Sequence, residues 1–412
     1  VLLKKKVSMA DAPILSAKMM RRVVIEAART APPVTPPCPH APPSGFCGGC
    51  ALQDRSYAAQ LTAKRAALRT IWANTLDAGR IAALDIVASP EPLGYRTRMD
   101  YVASKGRFGL RRGGKFNYIV DLERCLLLPD SGLAAARAVY ERALALGLPD
   151  YNLRSHEGFL RYVVVRRSPD NELLLAMVTA APTEGHAALL DDIAAVALAQ
   201  PGVLGFHWLV NDTVTDVSFG AVERIWGAAT LPMRVGARTL QIEANTFFQN
   251  NVALLLPLLD DVATAAGSGG KVADLYGGVG TIALHIADHV DQVVCVESVA
   301  ESVRLAEVNI AANRAGNVDA VAADVLAFLR EQPAGAFDTI VVDPPRTGLG
   351  PDVCAELLRL RPQRIVYVSC NPLTQLDDAQ ILIAAYNMPE LRGYDMFPQT
   401  PHLESLAVFT AR

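Results

Sequence analysis

From residue 270 onward the chain repeats one phrase. A short apolar run, rich in β-branched residues, ends on a glycine or a charged side chain, and a helical stretch follows. Gly270-Lys-Val-Ala-Asp-Leu275 leads through Tyr276-Gly-Gly-Val-Gly280-Thr281 into a helix over residues 282–287. The run 292–296 ends at Glu297, and a helix over Ala300–Ala312 follows. Val318–Ala322 ends at Asp324, the run 337–342 ends at Asp343, and the run 365–369 ends at Cys370. Strand and helix in alternation build a parallel sheet covered by helices on both faces. In such sheets ligands bind beyond the carboxyl ends of the strands. The repeat therefore predicts one rim that carries the glycine loop, Glu297, Asp343 and Cys370.

Each strand end says something about the ligand. The glycines let the backbone turn tightly against a bound group. Glu297 falls 17 residues past Gly280, where a carboxylate can accept from a ribose diol. The loop is not a full G-x-G-x-x-G, which points to an adenosine ligand other than NAD. Asp324 and Glu297, taken singly, read equally well as helix N-caps. Cys370 is followed by Asn371-Pro372, and Pro372 forbids simple continuation of the strand, so the thiol lies on a sharp turn. On these residues alone a buried, inert cysteine is an equal reading.

The front of the chain has a different texture. The 412 residues include seven cysteines, too few and too scattered for a secreted disulfide framework. No apolar run approaches the ~18 residues of a membrane span, and no signal peptide is read. A reducing, cytoplasmic setting is expected. Residues 1–37 are basic, then proline-rich, with 19–28 open to strand or short helix. Then Cys38, Cys47 and Cys50 fall within thirteen residues. Thiols at that density usually hold zinc or an iron–sulfur cluster. His40 is the fourth ligand by proximity and Cys125 by chemistry, and spacing leaves the two metals even.

Residues 51–80 have helical period, with basic residues on the other face. Residues 85–235 read as short strands with Gly, Asn and Asp turns, and helices at 130–147 and 184–199, an α+β domain. Charge is segregated. Residues 1–125 carry 20 Lys and Arg against 9 Asp and Glu, whereas the remainder carries 19 against 33. A basic front on an acidic body suits a polyanion, most simply nucleic acid. Arg96, Arg98, Arg107, Arg111, Arg112 and Arg161 are the candidates for phosphate contacts.

Taken together, Asp343-Pro-Pro-Arg346, Val368-Ser-Cys-Asn-Pro372, Phe247-Phe-Gln-Asn-Asn251 and His402-Leu-Glu-Ser405 resemble the S-adenosylmethionine-dependent RNA uracil-5 methyltransferases. The cysteine-rich start resembles their iron–sulfur branch, which modifies 23S ribosomal RNA. The resemblance spans roughly residues 38–412. It implies a class I Rossmann-like methyltransferase domain over 236–412 and a β-rich central RNA-binding domain over 38–50 and 85–235. Residues 51–84 would pack on the catalytic domain, and 1–37 would stand in place of an N-terminal β-barrel or be its truncated remnant. It implies a [4Fe–4S] cluster on Cys38, Cys47, Cys50 and Cys125. It implies S-adenosylmethionine contacts from Gln249, Tyr276, Gly278, Gly280, Thr281, Glu297 and Asp343, with Asp324 near the adenine. Cys370 would be the nucleophile and Glu404 the base. The chain departs from the family at a longer Cys38-x8-Cys47 gap, at Gly277 where Cys is frequent, at Asp377-Asp378 where Arg-Asp is usual, and at Gln399 where His is common.

The implied chemistry suits these residues. Carbon 5 of uracil is a poor nucleophile until a thiolate adds at carbon 6. A base must then remove the carbon-5 proton, and the nucleotide must leave its stack. Methylation of an exocyclic amine needs no thiol and usually places an aromatic residue after Pro-Pro, where Arg346 stands. Two further alternatives are a transfer-RNA uracil-5 methyltransferase and a non-catalytic RNA-binding assembly factor.

Overall fold

The computed structural model describes residues 12–412; the first part of the basic segment lies outside the described residues. The chain forms two units. One holds residues up to Pro33, Arg55–Pro90 and Ala253–Arg412; the other holds Val34–Asp54 and Glu91–Val252. The division falls at residue 252 rather than at 236. The second unit thereby includes a separate hairpin, Leu231–Val235 paired with Arg238–Ile242, which joins no strand of the larger sheets.

The first unit contains an eight-stranded sheet. Its order is Ile86–Val87, Tyr386–Tyr394, Glu404–Ala411, Arg364–Ser369, Thr339–Val342, Lys271–Leu275, Gln292–Glu297 and Val318–Ala322. The five strands from Lys271 to Ser369 are mutually parallel. They are apolar throughout because both faces are covered: Ile340, Val341, Val342, Ile365, Val366 and Tyr367 are all buried. Glu404–Ala411 runs antiparallel between Arg364–Ser369 and Tyr386–Tyr394.

Register aligns the rim. Leu275 pairs with Val342, and Val342 with Tyr367, so the residues that follow these strands emerge side by side. On the antiparallel side Ser369 pairs with Ser405. Cys370, one step past Ser369, therefore lies opposite Glu404, one step before Ser405.

The stretch left open between strand and helix is helical, Ala12–Ala28, with Met20, Val24 and Ala28 buried at a spacing of four. The next helix, Tyr57–Trp72, anchors the segment that leads to Glu404. Its Lys64 is fully buried and donates to Asp395 and to the Phe397 carbonyl. Gln60 exchanges hydrogen bonds with Gln399, at 2.9 Å from its Nε2 and 3.0 Å to its Oε1. Gln399, at the position where the family often has His, thus fixes a turn with φ of 68°.

The second unit is a seven-stranded sheet ordered Lys115–Asp121, Arg107–Arg112, Arg98–Ser104, Leu160–Arg167, Leu173–Thr179, Val203–Val210 and Ala221–Gly227. All its pairs are antiparallel except Leu173–Thr179 with Val203–Val210, which the helix His186–Leu198 connects. Asp130–Ala145 is the other helix, and the core joins Val139 and Ile193 to Val163, Val165, Leu175 and Met177.

Candidate active site

Cys370 stands where the Arg364–Ser369 strand gives way to the helix Pro372–Leu382. Asn371 caps that helix, its side chain accepting from Leu373 N. Its Nδ2 donates to the Arg346 carbonyl at 2.9 Å, and Thr374 Oγ1 donates to the same carbonyl at 3.3 Å. The Asp343-Pro-Pro-Arg346 loop is thereby fixed against the cysteine turn. Buried Asp378 braces the loop's far end, accepting from Leu349 N at 2.7 Å, Gly350 N at 3.0 Å and Tyr367 Oη at 2.7 Å. Ser405 Oγ donates to Gln375 at 2.7 Å, and Gln375 donates to the Tyr367 carbonyl at 2.9 Å. These bonds leave little freedom around the thiol.

The charges on this rim act on one another. Burial first, then Glu404 and Asp343, push the Cys370 thiol up to about 12, whereas the hydrogen-bonded Arg346 pulls it down. Glu404 is only 1% exposed, and its Oε2 has no hydrogen-bond partner. Burial, reinforced by Asp343, raises its carboxyl well above the usual range, and Arg346 opposes the rise. One guanidinium, two acids and a thiol thus share a site. The arrangement can hold a proton on Glu404 or release it, according to which charge occupies the site.

The glycine loop lies on the same sheet. Tyr276 and Gly280 take positive φ, 62° and 85°, and Gly280 opens the helix Thr281–Ile286. Glu297 Oε2 accepts from Gly278 N at 3.1 Å and its Oε1 from Val299 N at 2.8 Å. Ser298 Oγ also donates to Oε1, at 3.2 Å; a carboxylate has capacity for about four donors, so Oε2 can still accept from a ribose hydroxyl. Asp324 caps the helix Val325–Glu331 through Ala327 N at 3.0 Å, and its side chain is exposed. The cap and a ligand role are compatible for the same reason. At Gly277 a Cβ would lie 2.4 Å from the Cys295 sulfur, so this chain has a thiol from the neighbouring strand where relatives have a side chain at 277. Gln249 belongs to the other unit, where its carbonyl accepts from Thr97 Oγ1 at 3.0 Å.

Sequence reasoning missed three residues here. Asp274 is 0% exposed and accepts from Ala283 N at 3.0 Å, while its Oδ1 has no partner. Burial, aided by Asp343 and Glu297, raises it to about 8. A lone acid in an apolar strand, directly before the glycines, was the available signal. An unsatisfied buried oxygen beside that loop suits a ligand ammonium, so the residues fit an aminoacyl-bearing adenosine compound. Arg346 was visible only as a departure from an aromatic, and nothing in the sequence marked Asp378 as the brace.

In the second unit Cys38, Cys47, Cys50 and Cys125 line one small cavity with Ala41, Leu110, Leu122 and Leu127. Burial pushes Cys47 up to about 11, and Cys125 and Cys38 push it in the same direction. Burial also raises Cys50, helped by Cys125 and Cys47. Among the described residues no group of three His, Cys, Asp or Glu is disposed to hold a metal ion as it stands. The donor set is nevertheless of the right kind: four sulfurs around one small, largely apolar cavity are residues that would hold a metal ion or cluster. His40 is engaged elsewhere, its Nε2 accepting from Glu123 N at 3.2 Å.

The six arginines separate sharply, and four are engaged inside the unit. Arg161 is 3% exposed and is committed to the carbonyls of Asn211, Thr213 and Thr215. Arg96 has a buried Nε and acts on Cys50 and Cys125. Arg98 is tied to Asp100, the Ala244 carbonyl and Ser218. Arg111 is tied to Asp216 and Tyr162. Arg161, Arg98 and Arg111 hold loops in place within the unit. Arg107 and Arg112 have no carboxylate partner among the described residues and lie over aromatic rings instead.

Comparison with known proteins follows the same lines. Residues 229–412 match the family described as tRNA (uracil-5-)-methyltransferase. The tRNA (uracil(54)-C(5))-methyltransferase of Pyrococcus horikoshii is 34% identical, covering 88% of this chain and 83% of that protein. An RNA methyltransferase of Nitratidesulfovibrio vulgaris, named without a substrate, is 34% identical over 92% of this chain and 84% of its own length. Among solved structures, the Pyrococcus abyssi tRNA (uracil-54, C5)-methyltransferase in complex with S-adenosyl-L-homocysteine is similar with a TM-score of 0.75. It is 31% identical and covers 89% of this chain and 87% of its own.

Proposed function

The chain belongs to the S-adenosylmethionine-dependent RNA uracil-5 methyltransferase family, and from that premise we propose that Cys370 is its nucleophile and Glu404 its base. The single observation that carries this assignment is the pairing of Ser369 with Ser405, which sets Cys370 opposite Glu404 where the Asp343–Arg346 loop is bonded to the cysteine turn. Arg346 stabilises the thiolate that adds to carbon 6 of the uracil. The ring becomes an enolate, with carbon 5 nucleophilic. S-adenosylmethionine supplies the methyl group. Glu404 then removes the carbon-5 proton, and the ring expels the Cys370 thiolate as the double bond reforms. Buried as it is, Glu404 is a stronger base than an exposed carboxylate once its proton is lost. The residues of the first unit that would hold the donor are Asp274, Tyr276, Gly278, Gly280, Thr281, Glu297, Asp324 and Asp343.

Cys38, Cys47, Cys50 and Cys125 would hold a [4Fe–4S] cluster, which would tie the residue 38–50 loop to residue 125. A reducing cytoplasm suits both these thiols and the substrate. Protein prepared without oxygen should contain about four irons per chain; stoichiometric zinc would overturn the cluster.

The RNA proposed first is 23S ribosomal RNA, on the strength of the cysteine-rich segment. Transfer RNA is the second reading, favoured by the relatives whose names specify uracil 54. Transfer of a labelled methyl group to transcripts of each RNA separates them. Label in 5-methyluridine of ribosomal RNA alone supports the first reading, and label in transfer RNA alone the second. An assembly factor would label neither.

A further inference from the structure

Arg107 and Arg112 lie on a hairpin whose loops carry unusual company. The guanidinium of Arg112 is 4.0 Å from the centroid of Phe46 and 5.6 Å from that of Tyr118, and Arg107 is 4.7 Å from Tyr118. The four groups form a ladder, Phe46–Arg112–Tyr118–Arg107, of alternating ring and cation. Both rings are exposed, Phe46 at 53% and Tyr118 at 40%. Lys105 and Lys115, also exposed, flank it at the ends of the adjoining strands.

A ladder serving only the hairpin's own stability would bury its rings, because desolvation is what strengthens a cation–π contact. This unit does so at Arg161, 4.4 Å from the centroid of buried Tyr151; where Arg98 lies 4.7 Å from exposed Phe219, the cation is paired with Asp100. At Phe46 and Tyr118 the aromatic area stays in water. The two cations have no carboxylate to neutralise them among the described residues, unlike Arg98 and Arg111. Exposed flat rings interleaved with unpaired planar cations match one ligand chemistry, a flat base joined to a phosphate. The ladder is also rigidly mounted. Gly113 N donates to the Phe46 carbonyl at 3.0 Å, and Gly48 N donates to the Arg111 carbonyl at 2.9 Å. At Gly48 a Cβ would stand 2.8 Å from that carbonyl, so the close approach requires glycine.

We propose that Phe46, Arg112, Tyr118 and Arg107 form a stacking surface for unpaired bases of the RNA substrate, distinct from the uracil that is methylated. The inference rests on the RNA-methylating reading but concerns binding rather than chemistry. Nucleotides splayed from a loop would lie on Tyr118 and Phe46, with their phosphates toward the guanidinium groups and flanking lysines. Such a surface selects single-stranded over duplex RNA, because paired bases present no free face.

The test is binding, in the full-length protein at fixed salt, to a fluorescent twelve-nucleotide uridine-rich strand and to the same strand annealed to its complement. Tyr118→Ala should weaken single-strand binding about tenfold, with duplex binding within about twofold of wild type. Tyr118→Phe should restore it. Titration with S-adenosylhomocysteine and the thermal midpoint should match wild type, which reports an intact fold. If Tyr118→Ala does not fold, Arg107→Lys keeps the charge and removes the plane, and should lose about threefold on the single strand only. Unchanged single-strand binding, or equal loss on strand and duplex, would overturn the stacking surface. Failure of the catalytic reading looks different: wild-type protein would transfer no methyl group while the Tyr118 effect on binding persisted.

Discussion

Cys370 and Cys50 are both made reluctant to ionise by burial, yet their neighbours differ in kind. Cys370 is partly exposed, with a guanidinium and two acids within electrostatic reach. Cys50 is enclosed by leucines and, besides the Arg96 guanidinium, its charged-state neighbours are other thiols rather than acids. A lone thiol beside one cation and a base can be ionised transiently when substrate arrives. Several thiols facing one another can be ionised together only around a permanent positive centre. Residue type is the same in both places, so the surroundings are what separate the proposed nucleophile from the proposed ligand.

The contrast is broken most severely by exchanging one cysteine from each place for serine. Cys370→Ser should reduce methyl transfer by roughly 10⁴-fold or more while leaving iron content and RNA binding at wild-type values. Cys125→Ser should do the reverse in order of cause, losing iron first and activity as a consequence of lost structure. Iron analysis beside a turnover assay checks both, and loss of iron from Cys370→Ser would merge the two environments.

Glu404→Gln sharpens the catalytic side. Turnover should fall roughly 10²- to 10⁴-fold. Because the amide cannot take the carbon-5 proton, the methylated adduct should accumulate on ordinary uridine RNA, visible as a slow band on a denaturing gel. Loss of turnover without that band would mean Glu404 acts before the methyl group moves.

The smallest expected effect is on stability. The Asp274 carboxyl is raised to about 8, above its unfolded value. The folded state therefore binds its proton more tightly. That contribution is fully present at pH below about 4 and is lost as pH rises toward about 8, by at most about 1.4 kcal/mol per pH unit. Asp274→Asn should flatten part of this slope, as read from urea midpoints at pH 5.5 and pH 8. Parallel losses in variant and wild type would contradict the assignment.

The catalytic rim was legible because strand ends are punctuated in the sequence. Cys370, Asp343 and Glu297 each follow an apolar run, and parallel register brings such residues together without further information. The opposition of Glu404 to Cys370 was visible only through family resemblance, since it depends on the pairing of Ser369 with Ser405. The arginines were illegible for a related reason. Arg161 finds its carbonyls at 211, 213 and 215, some 50 residues on, and Arg98 reaches Ala244 and Ser218. Charge type announces an electrostatic footprint, but only tertiary contacts reveal which guanidinium groups are already spent on the protein's own backbone. Phe46 and Tyr118 passed unnoticed because an aromatic in a hairpin reads as core until its exposure is known.

The central claim is a covalent bond between one sulfur and the pyrimidine ring, and RNA carrying 5-fluorouridine addresses it directly. Fluorine at carbon 5 leaves no proton for Glu404 to remove, so wild-type protein with S-adenosylmethionine should form a stable one-to-one adduct. Mass mapping of that adduct should find the methylated fluorouridine on the peptide containing Cys370, and none should form with Cys370→Ser. Methyl transfer to uridine RNA without any such adduct, or an adduct on a different cysteine, would contradict the account.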